Sequence, residues 1–180
     1  MEAELSSMKR RLILSFLFLI PLFYISMGHM MGAPLPAFLV GHENAISFAF
    51  TQLLLTLPIL YINDKYYKNG FRSLLHGGPN MDSLIAVGSI AAVIYGVFAI
   101  YQIGYGLGHG DMARVEQYHM DLYFESAGMI LTLITLGKFL EARAKGRTGA
   151  AIRALMDLAP DTALVLRDGA EVEIPAEEVA

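Results

Sequence analysis

Four long apolar runs, separated by short polar segments, set the pattern of this chain. The first follows Lys9-Arg10-Arg11 over residues 12–31 and contains Pro21. The others cover 45–62, 81–107 and 121–142. A run of about 20 apolar residues matches the roughly 30 Å hydrocarbon core of a bilayer. Inside that core every backbone group needs an internal partner, which helices provide, and a proline kink is tolerated. The pattern predicts a polytopic α-helical membrane protein: a lead at 1–11, then a transmembrane domain of four helices over 12–160.

The fourth run differs from the others. It opens on Asp121, Tyr123, Phe124 and Glu125, carries no charge from 126 to 137, and then turns strongly charged with Lys138, Glu141, Arg143, Lys145, Arg147 and Arg153. No proline interrupts it before Pro160. About 38 helical residues would reach roughly 57 Å, so the helix is expected to leave the bilayer as a stalk over 143–158. Beyond it, 163–167 and 171–174 are β-prone and joined at Asp168-Gly169, a hairpin signal. Two strands bury no core alone. Residues 161–180 therefore read as the start of a small β domain, and the chain as a piece of a longer protein.

Composition supports the membrane reading. The 180 residues are 55% hydrophobic, with a mean hydropathy of +0.49. The absence of cysteine excludes disulfides, thiolate metal sites and a cysteine nucleophile within these residues. A secretory signal fits poorly, because the first apolar run is too long and no small-residue cleavage site closes it. In the four-helix arrangement every Lys and Arg except Arg114 falls on one side. The positive-inside bias then places both termini in the cytosol.

Candidate chemistry sits at the ends of the spans. Glu125 and Glu141 are sixteen residues apart, roughly 24 Å of rise and some 160° of turn. Such carboxylates either concentrate cations at a membrane mouth or simply rest among headgroups. Met81 and Asp82 open the third span. A thioether suits Cu(I) and not Mg²⁺ or Ca²⁺, although a methionine at a helix start also serves packing. The outer segments hold His29, Met30, Met31, His42, His109, Met112, His119 and Met120, a set consistent with soft-metal capture or with a solvated loop. Lys65, Lys68 and Arg72, interleaved with Tyr66, Tyr67, Phe71, Leu74 and Leu75, suit an interfacial amphipathic helix, as an anchor or a docking platform. No phosphate loop, catalytic triad or nucleic-acid signature is present.

The stretch Pro79-Asn80-Met81-Asp82-Ser83-Leu84-Ile85-Ala86 resembles the start of the first core helix of copper-exporting heavy-metal P-type ATPases. Tyr123-Phe124-Glu125, Lys138-Phe139-Leu140-Glu141 and Gly149 to Leu155 resemble their second core helix and stalk. Ala159-Pro160-Asp161-Thr162-Ala163 resembles the start of their actuator domain. The resemblance implies ATP-driven, Mg²⁺-dependent transfer of Cu(I) out of the cytosol across the plasma membrane through an aspartyl-phosphate intermediate. It makes the first two spans the heavy-metal-specific leading pair. Met81 and Glu141 become ligands at the cytosolic mouth and Glu125 the acidic residue on the exit side. It implies contact with lipid and with a copper chaperone or soluble metal-binding domain, docking at Lys65, Lys68 and Arg72.

The family's Cys-Pro-Cys, Asp-Lys-Thr-Gly-Thr and Thr-Gly-Glu motifs do not occur in these residues. By itself the chain is therefore expected not to hydrolyse ATP. The family's double glycine in the second span falls on Ile62-Asn63, so a bend is expected instead at Pro58 or around Asn63. Alternatives are a zinc- or cadmium-type pump segment, and a stand-alone four-helix scaffold or metal-binding protein without ATPase activity.

Overall fold

A computed structural model describes residues 2–28, 30–156, 162–167 and 170–175, within two units, Glu2–Phe139 and Leu140–Ala180. Met1, His29, residues 157–161, Asp168-Gly169, where a hairpin turn is expected, and residues 176–180 lie outside the described residues. Among the described residues six α-helices occur in order: α1 (Glu2–Gly28), α2 (Ala45–Ile62), α3 (Asp64–Leu75), α4 (Met81–His109), α5 (Met112–Met120) and α6 (Phe124–Met156). Four described segments are long and apolar enough to cross a membrane: Ala3–Gly28, His42–Ile62, Met81–His109 and Met112–Gly146. The protein is a multi-pass helical membrane protein.

Several boundaries differ from the expected ones. Residues 2–11 are no separate lead, because α1 begins at Glu2. Its 27 residues rise about 40 Å, more than the hydrocarbon core requires, so the charged first turns fit outside it. α1 stops at Gly28, short of residue 31, where the Gly28 carbonyl accepts from Met31 N at 3.1 Å and Ala33 N at 2.8 Å. The expected loop between the third and fourth spans contains α5. Gly110 (φ 70°) ends α4, and the Asp111 side chain accepts from Arg114 N at 3.1 Å to start α5. That N-cap satisfies a donor that the first helical turn leaves open. α6 then begins at Phe124 rather than at residue 121.

The bend after the second span lies at Asn63, while Pro58 stays inside α2. No glycine is present at the bend: the backbone bonds of Asn63 to Ile59 O (3.2 Å) and from Tyr66 N (3.1 Å) persist through it, and the Asn63 side chain adds to them. Its Nδ2 donates to Ile59 O at 2.9 Å and to Ser15 Oγ at 2.9 Å. The amphipathic helix expected at Lys65–Leu75 is α3, with Tyr66 and Gly70 buried against the bundle.

Helix α3 packs on the start of α4 at a close approach. A Cβ on Gly70 would lie 2.4 Å from Asp82 O, so only glycine fits. Ser83 Oγ donates to Gly70 O at 2.7 Å, and Asn80 with Ser83 forms a reciprocal cap at the head of α4. The second close approach joins α4 to α6. A Cβ on Gly96 would sit 2.4 Å from the fully buried Phe124 ring. Fourteen residues separate Asp82 from Gly96, and fourteen separate Phe124 from Lys138. Lys138 Nζ meets Asp82 Oδ1 at 2.6 Å, so α4 and this part of α6 run antiparallel and in register over roughly 21 Å. Helix α1 completes the wall, with Leu19 and Leu22 against Gly128. The core between these helices is formed by Leu19, Leu22, Phe48, Ile59, Ile103, Phe124 and Leu131.

The second unit contains the end of α6 and an antiparallel pair, β1 (Thr162–Arg167) and β2 (Ala170–Pro175). Thr162 pairs with Pro175 and Arg167 with Ala170.

Candidate functional site

Glu125 lies in the first turn of α6, next to the residue that wedges against Gly96. Its carboxylate is buried, with 6% of the residue exposed. Oε2 accepts from Ser26 Oγ at 2.9 Å, and Oε1 from Ser126 Oγ at 3.2 Å. This is no headgroup-bathed carboxylate. A buried ionised carboxylate is costly without partners, and two hydroxyl donors offset part of that cost. Ser26 was not among the residues singled out in the sequence: one hydroxyl near the end of an apolar run carries no recognisable pattern.

Met81 is the first residue of α4 and is 61% exposed. Its position is fixed by the Asn80–Ser83 cap and by the contact of α3 with Asp82. Among the residues singled out in the sequence, Asp82 has the most developed surroundings at this end, through Lys138. The Lys138 ammonium also stands 4.7 Å from the Tyr66 ring centroid. Beside it lies a buried polar cluster of Asn63, Tyr66, Thr135 and Ser15. Thr135 Oγ1 faces Leu131 O at 2.7 Å and Asn63 Oδ1 at 3.0 Å, and its single proton serves these two acceptors. Its oxygen is left to accept from Tyr66 OH at 3.0 Å. Arg11 Nε donates to Ile62 O at 3.0 Å and joins α1 to the same junction.

The candidate platform residues Lys65, Lys68 and Arg72 are all exposed on α3. Lys68 pairs with Asp64 one turn earlier. Hydrogen bonding to Lys68 holds the Asp64 carboxyl below the usual carboxylate range, and the same contact raises the Lys68 pKa. Arg72 lines a cavity of about 410 Å³ together with Asn69, Ser73, His76, Asn80 and Asp82. Glu141 belongs to the second unit. Its carboxylate is largely exposed and accepts from Lys145 Nζ at 2.6 Å.

At the opposite end, α5 folds over the end of α4, with Val115 against Gly106. Arg114 lies over the Tyr105 ring at 5.0 Å and donates to Gln102 Oε1 at 3.3 Å. The chain brings part of the expected His and Met set together here. His42, Glu116, His119 and Met120 line one cavity. His109 instead stacks on Tyr105 at 3.9 Å.

No family model matches the chain. Over 182 residues, 99% of its length, it is 38% identical to the probable copper-importing P-type ATPase A of Enterococcus hirae. It is 33% identical over 179 residues, again 99% of the chain, to a copper-exporting P-type ATPase of Staphylococcus epidermidis. To the copper-transporting ATPase 2 of Rhizobium meliloti it is 36% identical over 183 residues, 98% of the chain. It spans 22%, 20% and 20% of these proteins, about a fifth of their length. Over nearly its whole length the chain is thus homologous to a segment of copper-transporting P-type ATPases.

Proposed function

We propose that this homologue of copper P-type ATPases forms the membrane portion of an ATP-driven exporter of Cu(I), in the plasma membrane with both termini cytosolic. The observation that carries the reading is the buried Glu125 carboxylate inside the helical unit of a chain that aligns over 98–99% of its own length with copper pumps. In the complete pump, ATP and Mg²⁺ supply the driving phosphoryl transfer. These 180 residues hold no nucleotide machinery and hydrolyse no ATP by themselves.

The roles follow from ligand chemistry. Met81 offers a soft thioether at the head of α4, suited to Cu(I) arriving from the cytosol. Glu141 is the second cytosolic-side ligand, carried by the family resemblance. Glu125 offers hard oxygen donors, which hold Cu(I) weakly and let water compete, as release requires. Ser26 positions that carboxylate. The basic face of α3, with Lys65, Lys68 and Arg72, is the docking platform for a copper chaperone or soluble metal-binding domain. Anionic lipid is the other partner such a face attracts.

The test is copper uptake into everted vesicles that contain the pump bearing this segment. Export from the cytosol appears as ATP-dependent Cu(I) accumulation in the vesicle. Glu125→Gln is expected to reduce it at least about tenfold, a barrier change of about 1.4 kcal/mol. Met81→Leu is expected to raise the Cu(I) concentration needed for half-maximal turnover. Copper leaving the vesicle on ATP addition would reverse the direction, and unchanged transport in both variants would remove the assigned roles.

A further inference from the structure

We propose that His42, His119 and Met120 form a Cu(I)-binding site at the α5 end of the helical unit, with Glu116 at its rim. The four side chains line one cavity of about 210 Å³. Glu116, His119 and Met120 fall on one face of α5 at i, i+3 and i+4 spacing, and His42 reaches the cavity from the turn preceding α2.

The two imidazole centroids are 6.4 Å apart and edge-on. A ring nitrogen about 2.0 Å from a metal places its centroid about 3.2 Å away, so two imidazoles on one ion stand about 5–6.4 Å apart, depending on the angle. The observed separation is at the open end of that range, which a near-linear pair occupies. The His119 ring packs on Phe48 at 4.5 Å, and Phe48 is buried in the core. One ligand is therefore held in place by packing.

The donor set selects the ion. Among the described residues, no three His, Cys, Asp or Glu side chains converge to hold a metal. A structural Zn²⁺ site takes four such ligands. Two imidazoles and a thioether instead suit soft, low-coordinate Cu(I).

Location adds a role. Five residues separate Met120 from Glu125, so the two backbones are at most about 18 Å apart. An ion released by Glu125 meets these donors next. This role rests on the export reading above, whereas binding itself does not.

The test is a titration of the purified chain in nanodiscs with Cu(I) under reducing conditions, against a chromophoric Cu(I) chelator. His42→Ala/His119→Ala is expected to lose a full copper equivalent that His109→Ala, stacked on Tyr105 outside the cavity, retains. Met120→Leu, which keeps the side-chain shape, is expected to weaken that equivalent about tenfold and to remove sulfur scattering from its X-ray absorption spectrum. His119→Gln repeats the loss should the double variant lose helicity in circular dichroism. Equal copper stoichiometry in well-folded His variants and the unsubstituted chain overturns the site, as does displacement of the copper by equimolar Zn²⁺. A site that binds in this titration while the vesicles show no export would stand alone and refute only the pump reading.

Discussion

The two ends of the helical unit are built on opposite principles. At the end where α3 meets the head of α4, polar groups are tied to one another: Asn63 to Ser15 and Thr135, Thr135 to Tyr66, Asp82 to Lys138, and Ser83 to the backbone of α3. At the opposite end, acidic, imidazole and thioether groups face a buried pocket of hydroxyls or line a cavity. The first arrangement fixes geometry, since a satisfied buried network specifies one packing. The second gathers carboxylate, imidazole and thioether groups at buried or cavity-lining positions.

The comparison can be broken most forcefully at Gly70. Gly70→Ala places a methyl 2.4 Å from a backbone oxygen that no rotamer change can move. Overpacking of this kind costs about 1–3 kcal/mol or more. A marked fall in the thermal midpoint of the detergent-solubilised chain is expected, and an unchanged midpoint would show that this end yields rather than holds.

A smaller effect is expected from Asn63→Ala, which strips an acceptor from Thr135 and a donor from Ser15 while leaving the backbone path open. The expected cost is about 1–3 kcal/mol, with faster hydrogen exchange at the α2–α3 junction. Protection that stays at its original level would mean the network is incidental to the bend.

The smallest effect concerns pH at the exposed Asp64–Lys68 pair. The folded-state pKa of Asp64 is depressed, so its contribution is complete above the ordinary aspartate value and lost as pH falls below about 3.9. Lys68 is shifted upward, so its share is complete below the ordinary lysine value and lost above about 10.4. Between these limits α3 should show no pH dependence from this pair, and Asp64→Asn should abolish the acid-side change in α3 exchange. Acid loosening that persists in that variant would assign it elsewhere.

Much of the fold was legible because a bilayer imposes simple rules. The second span coincides with α2, and the amphipathic spacing of Lys65 to Leu75 with α3. Helix α5 was missed although Gly110-Asp111 is a helix stop followed by an N-cap, because the polar, His-containing segment read as loop. The start of α1 was missed because charged residues that are good helix formers were counted as a lead. At the site, Glu125 and Met81 stood out by residue type and family resemblance. Ser26, Ser15 and Thr135 did not, because a hydroxyl in an apolar run has no signature until its partner is known.

By itself the sequence determined the number and type of the spans, since hydropathy and length are local quantities matched against a fixed hydrocarbon thickness. It also determined the kinship with copper pumps. Only the tertiary structure decided which polar side chains meet: Ser26 with Glu125 across 99 positions, Thr135 with Asn63 across 72, and His42 with His119 across one cavity. Those meetings depend on how each helix is rotated and where its neighbour sits in register. Packing at Gly70 and Gly96 sets both, and no periodicity within a single helix contains them.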